Sequence, residues 1–257
     1  MGKGEALSVW QTHSFRITGF VSPTGVVGNP IQWWESVIGS PPEKEMNVRA
    51  RSEMHFEGSF EGTWTTLRIL PGRIDWSVAI HPEEQSNSPV LLTLGSFSDI
   101  LESHINVISE RWFNLESYPL MQRLAFGVEL VTPVENREAG YDVINQLLPS
   151  VELSTKDTSD FLYQINRRRS SKVVDELEIN RLSRWSINLY KSARFSLGAD
   201  LSSQAIIAGD ATFYAAVTMD INTVVDYGGD FDKDKSNTIF RELLELAQEI
   251  AVEGDVP

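Results

Sequence analysis

Between Asp230 and Ser236 the chain reads Asp-Phe-Asp-Lys-Asp-Lys-Ser. Oxygen-bearing side chains at alternate positions are the spacing by which calcium loops wrap a hard cation. Asp230, Asp232 and Asp234 are therefore candidate ligands for a divalent cation. The rest of that pattern is missing: its sixth position, which needs glycine, is Lys235, and its twelfth, which needs a bidentate glutamate, is Arg241. The same acids also suit a connector that caps the following helix with an aspartate oxygen and places negative charge near its N-terminus. The capping reading is the stronger one.

Arg167, Arg168, Arg169 and Lys172 form the only dense basic run. In a loop their donors could hold phosphate or a carboxylate-rich partner, with Arg181, Arg184 and Arg194 extending the surface. On a strand, alternation sends Arg167 and Arg169 one way and Arg168 the other, which splits the patch. A solvated hairpin end pairing with Asp175, Glu176 and Glu178 is the preferred reading. The histidines His13, His55, His81 and His104 show no metal-site spacing. His55 alternates with Glu53 and Glu57, an arrangement able to move protons if that face lines a cleft. His104 lies beside an apolar helical stripe and reads as packing. Asp75, Glu129, Asp220 and Asp226 fall on or beside predicted strands and could meet in a site that leaves no linear motif. Trp33, adjacent to Trp34 on a two-turn helix, is a candidate contact to a subunit or partner, or else packs under the Pro41-Pro42 loop.

The elements that would position these groups alternate between two periods. Asn29 to Gly39 carries an N-cap, proline at the first helical position and a glycine C-cap. From Arg51 to Ile80 the period is two, with turns at Gly58–Gly62 and Pro71-Gly72, and a hairpin there sets Leu67 opposite Trp76 and Ile69 opposite Ile74. Ser96 caps a helix running to about Phe113; a strand from Leu124 to Leu130 stops at Pro133; a helix spans Glu138–Leu148. Phe161–Ser170 and Leu177–Tyr190 read as a hairpin, Phe213–Ile221 as a strand, and Asn237–Val252 as a helix with Leu243 and Ile250 inward and Glu242, Glu245 and Glu249 outward. This is an α+β protein: antiparallel hairpins covered by about four helices, with a duplicated β-β-β-α unit as one reading. The halves 1–150 and 151–257 are either two units or one continuous domain.

Composition removes several chemistries. With no cysteine, disulfides, thiolate zinc sites and cysteine nucleophiles are excluded. There is no G-x-S-x-G elbow, P-loop or G-x-G-x-x-G; Gly25 to Gly28 lacks the lysine and helix that cradle a nucleotide. A formal charge of −14 opposes generic attraction to phosphate backbones and anionic lipid. No apolar run is long enough to span a bilayer and no secretory h-region opens the chain, so a cytoplasmic location is expected.

The segment from Leu101 to Glu253 resembles a sporadically distributed family of uncharacterised bacterial proteins of about this length. The resemblance rests on the run from Pro119 to Glu129, on Phe213 to Asn222, and on the acidic loop and last helix that follow. It implies no activity. The leading expectation is a non-catalytic interaction protein, of the kind found in bacterial accessory or mobile-element assemblies, holding a protein partner or itself. The alternatives are a metal-dependent phosphodiester hydrolase, with Asp220 joining the loop aspartates, and a nucleic-acid-binding module gripping phosphate through Arg167–Arg169. No cofactor is required beyond a divalent cation in the hydrolase case.

Overall fold

The structure is a computed structural model that describes residues 9–21, 28–88, 90–151, 159–197 and 204–256. In its first half, period-two segments punctuated by turn residues become strands β1 (Gln11–Phe20), β2 (Lys44–Val48), β3 (Glu53–Phe60), β4 (Thr63–Leu70) and β5 (Arg73–Ala79). Glu61 and Gly62 join β3 to β4 with φ of 47° and 77°, the positive values that a two-residue hairpin loop demands. Pro71 and Gly72 join β4 to β5, where proline presets one φ and Gly72 takes 75°. The resulting register pairs Leu67 with Trp76 and Ile69 with Ile74, as the turn residues predict.

The second half supplies β7 (Arg123–Val134), β8 (Leu162–Asn166), β9 (Arg169–Ser170), β10 (Glu178–Leu197) and β11 (Gln204–Thr223); β6 (Gly95–Ser96) is a short pairing on β1. All join one antiparallel sheet of 11 strands, ordered β2-β3-β4-β5-β1-β7-β11-β10-β8, with β9 alongside β10. The helices are α1 (Pro30–Ile38), α2 (Pro82–Asn87), α3 (Phe97–Ile100), α4 (Asn106–Phe113), α5 (Arg137–Leu147) and α6 (Lys233–Glu253); a π turn, Leu101–Ile105, joins α3 to α4. Element order repeats. A strand, a helix, a set of antiparallel strands and a closing helix occur first as β1, α1, β2–β5, α3–α4 and again as β7, α5, β8–β11, α6. The two leading strands lie side by side in the middle of the sheet, flanked by β5 and β11. No helix among the described residues is long and apolar enough to cross a membrane.

Alternation divides the sheet into two unlike faces. Ile17, Leu67, Trp76, Phe126, Val217 and Trp185 are fully buried on one face, beneath the helices. Trp34 of α1 stacks on Trp76 at 6.0 Å, Trp76 meets Trp112 of α4 edge-on at 6.2 Å, and Phe240 of α6 closes on Phe126 at 5.9 Å. The aromatic chain thus runs from the first half into the last helix. Several boundaries differ from those read in the sequence, among them the ends of β10, which runs on to Leu197, and of β11, which starts at Gln204. β7 continues through Pro133, which pairs with Tyr214 beyond the last β1 partner of the strand, Val131; one side of the strand is unpaired there, where a missing N–H is tolerated. α6 begins at Lys233 because Asp232 caps it a turn earlier than the apolar stripe alone suggests.

Gly254 ends α6 with φ 77° and ψ −151°, and its N–H reaches Ile250 O at 2.9 Å. The next residue, Asp255, donates its N–H to Leu147 O at the end of α5. A Cβ at Gly254 would lie 1.9 Å from that same carbonyl oxygen, against nothing within 4 Å at Gly228, whose φ is 71°. Gly254→Ala is therefore expected to destabilise the protein beyond the roughly 1 kcal/mol of backbone strain that Gly228→Ala carries, by about 1–3 kcal/mol more for the clash. Urea unfolding of both variants measures the gap, and equal losses would contradict the docking of α6 on α5.

Candidate functional site

Arg167 and Arg169 of the arginine run turn inward and are engaged within the chain, while Arg168 and Lys172 are exposed. Alternation along β8 and β9 aims Arg167 and Arg169 at α6 and leaves Arg168 exposed on the other face. Arg167 grips the Asp255 carboxylate with two nitrogens, the second at 2.8 Å, and Tyr163 donates its hydroxyl to the same group at 2.9 Å. Glu249 of α6 takes Arg169 at 2.7 Å and the buried Arg181 at 2.9 Å. Ser171 Oγ and the Lys172 backbone N–H both donate to Glu242, each at 2.6 Å. Glu242 and Glu249, read as outward from the apolar stripe of α6, thus face β9 and β10, and only Glu245 of the three is exposed. Arg168 donates to Asn180 Oδ1 at 3.0 Å and approaches Glu178 at 3.6 Å. The side chain of Arg194 lies outside the described residues.

In the acidic loop, Asp232 Oδ1 accepts the Lys235 N–H at 2.9 Å, the cap anticipated for this segment, while Asp230 and Asp234 are exposed. Among the described residues no three His, Asp or Glu side chains converge as they would around a metal ion. Trp33 is fully buried and donates its indole N–H to Ser117 Oγ at 2.9 Å, so the surface contact considered for it gives way to packing. Its neighbour Trp34 is buried as well, because α1 lies between the sheet and the segment around Ser117. His104 is buried beside Phe60 and shares a hydrogen bond with Ser103; burial lowers its pKa.

The scattered carboxylates tell a different story. The sheet face away from the main core carries Asp75, Glu129 and Asp220, which pairing across β5, β1, β7 and β11 brings into one neighbourhood. Arg16 of β1 lies opposite Gly127 of β7, and Gly127 lies opposite Asp220 of β11. Around this glycine is a depression of about 310 Å³ lined by Ser14, Arg16, Ser77, Glu129, Thr218 and Asp220, among others. Asp226 stands apart, exposed after β11. Asp75 is buried and engaged by Thr18 and by Arg73, at 2.8 Å. His13 holds Glu129 at 3.1 Å, and that hydrogen bond keeps the glutamate below its ordinary pKa despite partial burial. Amides run in one direction toward Asp220: Asn166 donates to Asn180, Asn180 to Asn222, and Asn222 to Asp220 Oδ1 at 3.0 Å. Arg123 reaches Asn222 at 3.4 Å and stands 4.6 Å over the ring of Phe20. Arg16, which nothing in its sequence neighbourhood distinguishes, is the member that sequence reasoning missed.

The upper corner of this face is covered by the segment that includes α2. Leu91 packs on Val131, Tyr214 and Ala216, and Gln85 donates to the Tyr190 hydroxyl at 2.8 Å. Compared with family models, with curated proteins and with solved structures, the chain matches none.

Two expectations concern the clamp on α6. Arg181 is 2% exposed, and burial, before the repulsion of Arg169, lowers its pKa while Glu249 opposes the shift. Glu249→Ala removes the ion-pair partner of this buried cation and should cost about 3–5 kcal/mol, whereas Glu245→Ala should stay within about 0.5 kcal/mol; denaturant titration of the pair gives the comparison. For Asp255, burial alone would raise the carboxyl pKa, but hydrogen bonds from Arg167 and Tyr163 carry it below its ordinary value. Its folded form therefore binds fewer protons than the unfolded chain, so the stabilisation is complete above the ordinary carboxyl pKa and is lost as pH falls through the lowered one. Stability measured from about pH 5 down to about pH 2 should fall less steeply in Asp255→Asn than in the parent.

Proposed function

We propose that this chain is a non-catalytic protein-interaction component whose docking surface is the sheet face left uncovered by α1 and α3–α6, and that its partner presents an acidic surface. The observation that carries this reading is the placement of arginine. On a chain of net charge −14, that face holds Arg16, Arg68, Arg73, Arg123 and Arg184, which nearly balance its carboxylates, while the helical side carries Glu245, Glu253 and Asp234 in the open. Arg184 is exposed with no ion pair among the described residues, and Arg68 has one contact, to Glu53 at 3.7 Å. Size supports it as well. Strands about 4.8 Å apart, with about six residues of each at about 3.3 Å, make this face broad enough for the roughly 800 Å² per partner of a standard interface.

The arginine run no longer offers the phosphate grip on which the hydrolase and nucleic-acid alternatives relied, since Arg167 and Arg169 hold α6 and the segment after it. Protein partners remain the reading with an available surface.

Photo-crosslinking residues at Thr66 or Arg184 on the sheet face, and at Glu245 on α6, test the proposal in the cells that make the protein. Adducts from the first two positions, reduced at least about tenfold by Arg68→Glu, are expected; an adduct of twice the chain mass would identify the partner as a second copy. Adducts from Glu245 alone, or none from Thr66 and Arg184, would refute the docking face.

A further inference from the structure

We infer that the depression over Gly127 is a binding site for a small zwitterion of the amino-acid type, with Arg16 taking the carboxylate and Asp220 taking the ammonium group. The inference does not depend on partner docking. It starts from a cation with unused donors. Arg16 Nε has no hydrogen-bond partner and its nearest carboxylate, Asp75, lies at 3.9 Å, already engaged by Thr18 and Arg73. The Arg16 side chain is 42% exposed, but Nε is itself buried, so a ligand can reach only the Nη end of the guanidinium. No ion pair joins it to Asp220 or Glu129, although all three line the same depression.

Gly127 is what keeps the opposite charges apart. It stands between Arg16 and Asp220 in one cross-strand row, so their backbones are about 10 Å apart and Gly127 itself puts no side chain between them. A Cβ there would meet Arg16 Nη2 at 3.7 Å and Met219 O at 3.8 Å, so the glycine lets the Arg16 guanidinium lie over its backbone at the edge of the depression. Glu129 lies one pleat along β7, opposite Thr218, with its carboxylate held by His13. Ser14, Ser77 and Thr218 add hydroxyls to the lining.

Charge selects the ligand class. The Asp220 carboxylate disfavours a phosphate dianion, and the Arg16 guanidinium disfavours a bare metal cation. A molecule bearing one carboxylate and one ammonium group satisfies both sides, and bidentate contact from arginine suits a planar carboxylate. About 310 Å³ is at the lower end of ligand pockets, which fits a free amino acid better than a nucleotide.

The test uses the whole chain and each of the 20 protein amino acids at about 10 mM in thermal-shift screening, with propionate and methylamine as single-charge controls. At least one amino acid is expected to raise the melting temperature saturably, with both controls at least about tenfold weaker by calorimetry. Arg16→Gln and Asp220→Asn should each weaken that binding at least about tenfold while leaving the ligand-free melting temperature within a few degrees. Gly127→Val, which fills the depression, should abolish it. No shift from any amino acid, controls that bind as well, or binding indifferent to Arg16→Gln would overturn the site. Because no partner protein is present, failure here leaves the cross-linking result standing, and the reverse is also true.

Discussion

The antiparallel pairing of β1 with β7 is the contact that makes this molecule one body. Each half has its own hairpins and its own closing helix, but the sheet is continuous because Phe15 meets Val128 and Ile17 meets Phe126 across the middle. Those residues point into the core, where Trp112 and Phe113 of the first half and Phe240 of the second cover them. On the opposite face the same register sets Arg16 beside Gly127 and Phe20 beside Arg123. One seam therefore defines both the hydrophobic interior and the polar surface. A slip of one residue would exchange the two.

Local features of the chain were legible because their causes are local. Positive φ at Gly62 and Gly72 fixes two hairpin registers, and the capping oxygens of Ser96 and Asp232 fix two helix starts. The α+β class follows from the change of period between those marks. What could not be read is whatever depends on pairing between distant segments. Glu242 and Glu249 sit on the polar side of α6 in sequence, and only the approach of β9 and β10 shows that this side is also packed. Trp33 and Trp34 cannot both face one neighbour, yet both are buried because α1 has neighbours on two sides. Arg16 looks like any strand arginine until Gly127, more than a hundred residues later, is placed beside it.

Charge is distributed with the same logic. Acidic residues concentrated near the end of the chain would repel one another in an isolated helix, and Arg167, Arg169 of β9 and Arg181 of β10 offset that repulsion where the helix meets the sheet. Tethering replaces solvation there. Asp234, Glu245 and Glu253 lie on the helical side in contact with water, which leaves the sheet face closer to neutral than the molecule as a whole.

The long reach of the central seam has a kinetic meaning. Hairpins with two-residue loops close in about 1–10 μs, whereas β1 must wait for β7 to be within reach before it acquires its second neighbour. Until then the glycine at 127 has no arginine beside it and the depression has only one wall. Anything that occupied it would be felt as a grip on the join between the halves, slowing their separation more than the fraying of either outer edge.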